Sequence, residues 1–166
     1  MDKSIEIAEK MGIRSKIDRV PAMILGQSVM NMLEMTGAYG AVADRGIWHQ
    51  PRAIKRVYDT SNCNPKQIKT CRIIYDYSKD NQASRRVLKP EVASTLTDMM
   101  RGVVTGGTGK NAAIGLGEVG KTGTTNDNVD MWFIGFIPDR KVVTSVWLGN
   151  DDNSPTRGSS AQSAQI

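Results

Sequence analysis

Three strand-like runs near the C-terminus constrain this chain more than any other feature. Val119 to Thr125, Met131 to Ile137 and Val142 to Leu148 combine β-branched, aromatic and small residues in lengths that suit a sheet. The last two are joined by Pro138-Asp139-Arg140-Lys141, with Pro at the second position of a turn, so they are expected to pair as an antiparallel hairpin. A sheet of this kind needs helices to bury a face. The 166 residues amount to one ordinary domain, long enough to bury roughly two-thirds of the unfolded chain's surface without metal or disulfide staples.

Helical spacing supplies the cover. Ile5, Ala8 and Met11 recur over Asp2 to Met11 before a stop at Gly12. Ser28 is a candidate cap for a helix that ends by Gly46, with Val29, Met32, Leu33, Tyr39 and Val42 on one face. Pro90 opens a third helix, with Glu91 favouring its positive end. Its expected buried stripe is Val92, Leu96, Met99, Met100 and Val103, and Gly106 and Gly107 stop it. Between the second and third helices, Ala53 to Asp59 and Cys71 to Tyr77 read as two strands that pair with each other around a polar loop. From Asp151 the chain turns polar and is not expected to bury a core face by itself.

Several function classes are excluded at this level. The longest nearly apolar run, Met131 to Ile137, is far short of the roughly 20 residues a membrane helix needs. One His and two Cys cannot build a zinc cage from His and Cys alone. His49 has no G-x-S-x-G elbow to serve and is expected in a loop. Charge is uneven, since Arg45 to Lys89 holds eleven basic and three acidic residues, a net of +8 in a chain whose total is +5. With few aromatic residues for base stacking, this segment reads as a solvated basic hairpin and not as a nucleic-acid site.

Two sequence patterns compete over the same lysine. Gly115 to Thr122 matches G-x-x-x-x-G-K-[ST], the phosphate-binding loop of nucleotide hydrolases. That loop works only when a helix begins immediately after it, so that helix N-terminal amides hold the phosphates. Here Gly123-Thr124-Thr125-Asn126-Asp127-Asn128 follows, a poor helix start. If Lys121-Thr122-Gly123-Thr124 instead lies on a strand, a cation and two hydroxyls surround a residue with no side chain. An extended peptide could then bind edge to edge, its carboxylate held by the lysine and threonines, with a strand N–H as half of an oxyanion hole. A third pattern, Ile7 to Ile13, sounds like the start of a helix-turn-helix, but Pro21 would break the recognition helix.

An ordered series of residues resembles the transpeptidase domain of penicillin-binding proteins, in particular the bifunctional class A members. It comprises Met35-Thr36-Gly37-Ala38-Tyr39, then Val103-Val104 with Gly107-Thr108-Gly109, then Lys121-Thr122-Gly123-Thr124-Thr125. Asp130 with Trp132 to Phe136, and Val146 to Asp151, complete it. The K-T-G triplet is characteristic of these enzymes. The resemblance implies an α+β fold, an antiparallel sheet flanked by helices, of the penicillin-binding and β-lactamase type. It also implies a serine acyl-transferase that cross-links peptidoglycan stem peptides ending in D-Ala-D-Ala, binds β-lactams, and uses neither metal nor cofactor. Lys121 would complete the catalytic electrostatics, while Thr122, Gly123 and Thr124 would bind the terminal carboxylate and supply one oxyanion donor.

The departure from the family falls on the nucleophile. No Ser in this chain has Lys three residues on or Asn two on, so the S-x-x-K and S-x-N motifs are both missing. The expectation is that residues 1–150 are the C-terminal part of a transpeptidase domain, carrying a basic hairpin at about 50–89, and that 151–166 are a polar tail cut within the closing helix. The parent would be membrane-anchored and face the extracytoplasmic side. In that compartment the resemblance lets Cys63 and Cys71 form a disulfide. The phosphate-loop protein remains the alternative.

Overall fold

The computed structural model describes residues 1–80 and 83–166. Among the described residues, helices α1 (Asp2–Lys10), α2 (Met32–Ala43), α3 (Pro90–Thr105) and α4 (Ser160–Gln165) accompany seven strands in three sheets. The central sheet orders β5 (Val119–Thr124), β6 (Asp130–Ile137) and β7 (Val142–Gly149), all antiparallel. Its strands are the three runs read from the sequence, and β6 and β7 form the hairpin their turn implies. Beside it, β1 (Ile47–His49) pairs with β4 (Ser84–Arg86), and β2 (Arg56–Asp59) pairs with β3 (Arg72–Asp76) as the expected ribbon. Cys63 and Cys71 are joined by a disulfide that closes the ribbon's tip.

Alternation along the strands sends β6 side chains to opposite faces, and helices receive both. Phe136 lies across from Val119 and packs with Val42 of α2 and Met100 of α3. Phe133 points the other way, into Val104 of α3 and Ala164 of α4. Glycine makes room for it. Gly120 and Gly135 are direct cross-strand partners, and a β-carbon on Gly120 would stand 2.3 Å from Phe133 Cζ.

The helix faces differ from the sequence expectation. Asn31, not Ser28, caps α2, accepting from the Leu33 and Glu34 amides, while the Ser28 hydroxyl accepts from the Asp18 amide. Val29 and Leu33 are largely exposed, and the buried face is Ala38, Ala41 and Val42. On α3, Met100 is buried as expected, but Val92 and Met99 are half or more exposed, and Ala93 and Val104 are buried in their place. In both helices alanine faces the body. A small side chain lets backbones approach closely, so packing selects a stripe displaced from the one with the largest apolar residues.

Three further features depart from expectation. His49 is the last residue of β1, not a loop residue, and its Nε2 pairs with Asp44 at the surface. The tail is less inert than its composition suggests. Ser159 and Gln162 form a capping box for α4, and Ser163 is fully buried because its hydroxyl donates to Met131 O at 3.0 Å. Finally, β1 and β4 were not foreseen, being three residues each, with β4 carrying two arginines. They form because Gly46, with φ +89, turns the chain out of α2 and offers its carbonyl to the amides of Val87 and Leu88.

Candidate active site

Lys121, Thr122, Gly123 and Thr124 all lie on β5, whose single strand partner among the described residues is β6. The register sets Lys121 against Ile134, Thr122 against Phe133, Gly123 against Trp132 and Thr124 against Met131. The other edge of β5 is therefore open to an incoming strand. Lys121 and Gly123 share one face of the sheet, and Thr122 and Thr124 share the other.

Each residue is held differently. Lys121 is exposed, and its Nζ donates to the Thr122 carbonyl at 2.6 Å. Thr122 is 6% exposed, with its hydroxyl 2.6 Å from that of Thr108. Thr124 is exposed. Beside Gly123 a β-carbon would meet nothing nearer than Trp132 Cβ at 3.4 Å, so the protein leaves that approach clear. Thr108 belongs to the turn after α3, where the Gly109 amide donates to the Val103 carbonyl at 3.0 Å. The sequence placed Gly107-Thr108-Gly109 near the site but gave no sign that Thr108 would fix the Thr122 hydroxyl.

The turn after Thr124 is equally well tied. Thr125 N–H donates to the Asp130 carbonyl at 3.0 Å, and Asp130 N–H donates to the Thr125 hydroxyl at 2.7 Å. Trp147 Nε1 donates to the Asp130 carboxylate at 2.8 Å, and Thr156 N–H reaches back to the Asn128 carbonyl. These bonds fix where β5 ends. An edge strand with a fixed end and a clear side is preorganised to hold a peptide.

The phosphate-loop alternative fails on the same geometry. Lys121 and Thr122 lie within a strand that runs on to Thr124, and only a three-residue 3-10 turn, Asn126–Asn128, comes soon after it. The amides that would cradle a phosphate are also occupied. Glu118 carboxylate accepts from Ile114 N–H at 2.6 Å, Leu116 N–H at 2.8 Å and Gly115 N–H at 3.2 Å. Desolvation pushes the Glu118 carboxyl up, but these amides and its own outweigh it and hold it below the usual carboxylate range. The loop already contains its anion. Among the described residues, no three His, Cys, Asp or Glu side chains come together to hold a metal, and no helix is long and apolar enough to cross a membrane.

Comparison with known proteins agrees with this fold. The penicillin binding protein transpeptidase domain model matches residues 19–166. Penicillin-binding protein 2a of Streptococcus pneumoniae is 35% identical over 176 residues, covering 99% of this chain and 22% of that protein. Penicillin-binding protein 1A of Clostridium tetani is 35% identical over 133 residues, covering 78% of this chain and 15% of that one. The chain thus spans about a fifth of the length of these relatives or less. Among solved structures, penicillin-binding protein 1A of Haemophilus influenzae superposes with a TM-score of 0.75 at 22% identity, over 98% of this chain and 29% of that one. PonA1 of Mycobacterium tuberculosis gives 0.74 at 22% identity, over 95% of this chain and 45% of its own. The chain belongs to the penicillin-binding protein transpeptidase domain family.

Proposed function

We propose that this chain provides the peptide-binding edge of a serine D,D-transpeptidase that cross-links peptidoglycan stem peptides. The observation that carries this reading is the open edge of β5, where an exposed Lys121, a clear Gly123 and an exposed Thr124 flank the buried Thr122. A donor peptide ending in D-Ala-D-Ala pairs along that edge. Its carboxylate is held by Thr124 and by Thr122, which shares its face and is fixed by Thr108, while Lys121 completes the positive electrostatics of the site and a β5 amide faces the developing oxyanion.

The nucleophile comes from outside this chain. A serine of an S-x-x-K segment attacks the penultimate D-alanine carbonyl and expels the terminal D-alanine. The resulting acyl-enzyme then passes its acyl group to an amine of a neighbouring strand. Two facts support that division: no Ser here has Lys three residues on, and the chain covers only 22% of its pneumococcal relative. Penicillins would acylate the same serine. A structural neighbour, penicillin-binding protein A of M. tuberculosis, is known as an imipenem acyl-enzyme complex. The parent is placed at the extracytoplasmic side of the bacterial membrane, by an anchor outside these residues.

The test is covalent labelling with fluorescent penicillin. The longer protein that contains an upstream S-x-x-K segment should label stoichiometrically, and this chain alone should not. A stable adduct on the isolated chain would refute the assignment of the nucleophile. Failure of the longer protein to label would refute the assignment of function.

A further inference from the structure

The basic ribbon β2–β3 plays no part in the site above, and its charge is not spent internally. Each of its three acidic residues is paired with an arginine of the same segment: Asp76 with Arg56 at 2.8 Å, Asp59 with Arg72 at 3.2 Å and Asp80 with Arg52 at 3.3 Å. Among the described residues, Lys55, Lys66, Lys69 and Lys79 pair with no carboxylate, and all four are exposed. The ribbon stands off the body, since the main packing partner of β2 is β3.

Aliphatic side chains are interleaved with those cations. Ile54 is 58% exposed and Ile74 is 62% exposed. Ile74 is the unpaired residue at the register shift opposite Val57 and Tyr58, where a bulge turns its side chain outward. At the ribbon's base, Pro51, Arg52, Ala53, Ile54, Val57 and Tyr75 line an open groove of about 390 Å³. Val57 and Tyr75 are direct cross-strand partners and so present one face to it.

We propose that this groove and ribbon dock an acidic segment of a partner protein that carries an apolar side chain at its centre. The lysines complement the acidic residues, and the groove takes the apolar anchor. A pure polyanion would leave the groove and the isoleucines without a role. A basic ribbon with an apolar groove at its base matches the anatomy of a protein interface, in which a buried anchor carries affinity and peripheral charges steer encounter.

The experiment uses this chain and an array of fluorescent ten-residue peptides of Asp and Glu, with Leu, Ile, Phe, Tyr or Ser at the centre. Vesicles of equal phosphatidylglycerol and phosphatidylcholine form a separate arm. Anisotropy should detect binding of at least one apolar-centred peptide, at least tenfold tighter than the Ser-centred one. Ile54→Ser should weaken it about tenfold, and Lys55→Glu should weaken it and flatten its salt dependence, with unchanged circular dichroism. The proposal is overturned by equal binding of the Ser-centred peptide, by vesicle binding with no peptide binding, or by no binding at all.

Discussion

Replacing Gly120 with Ala separates two opposite physical expectations at the residue just before Lys121. By propensity alone, Gly in the middle of a strand costs roughly 0.5–1 kcal/mol relative to Ala, so the substitution would stabilise. Packing reverses the sign. The new methyl would stand 2.3 Å from Phe133 Cζ, 2.7 Å from its Cε2 and 3.0 Å from the Ile134 carbonyl. The ring would have to move by about an ångström, yet it is confined by Val104 and Ala164. Overpacking of this kind costs about 1–3 kcal/mol. For a chain of this length that corresponds to a melting temperature lower by roughly 2–12 °C, at about 2–4 °C per kcal/mol. Urea unfolding followed by circular dichroism measures the effect. A double-mutant cycle with Phe133→Leu, which shortens the obstructing side chain, should return a coupling of at least ~0.5 kcal/mol. A Gly120→Ala variant as stable as the parent, or strict additivity with Phe133→Leu, would refute the packing argument.

Other outcomes follow from single contacts. Reducing Cys63–Cys71 removes a short-loop constraint worth about 2–3 kcal/mol by chain entropy, and because β2 packs mainly on β3 the loss should be local. Hydrogen exchange should quicken over residues 56–76 while the β5–β7 core keeps its protection; uniform loss across the chain would contradict this. The Ser78 hydroxyl and amide, with Arg56, hold the Asp76 carboxyl at about 2, below its ordinary 3.8. Its contribution is thus present above pH 3.8 and lost as pH falls towards 2, so Asp76→Asn should flatten thermal stability over that window only. Because Glu118 fills the amides of the Gly115 loop, millimolar Mg-ATP should leave the melting temperature unchanged; a clear rise would reinstate nucleotide binding.

The sheet was legible because its signals are local. Runs of β-branched and aromatic residues and a Pro-Asp turn located β6 and β7, and the poor helix start after Thr122 favoured a strand for Lys121 despite a full match to a phosphate-loop pattern. Helix faces were not, because Ala38, Ala41 and Ala93 decide which side approaches the sheet, and no count of large apolar residues reveals that. The strands β1 and β4 depend on each other and on the Gly46 carbonyl, which are tertiary facts. Thr108 and Ser163 illustrate the same limit. A hydroxyl's partner, Thr122 in one case and the Met131 carbonyl in the other, is set by packing between segments distant in the chain.

The central claim is that the open edge of β5 binds the substrate carboxylate, and the acylation rate of the longer protein by fluorescent penicillin tests it most directly. Thr124→Val keeps the shape and removes one hydrogen bond to a charged group, a loss of about 1.5–3 kcal/mol or roughly 10- to 150-fold in rate. That loss is expected with folding intact, together with a loss at least as large for Lys121→Ala. Acylation of both variants at the unsubstituted rate would contradict it.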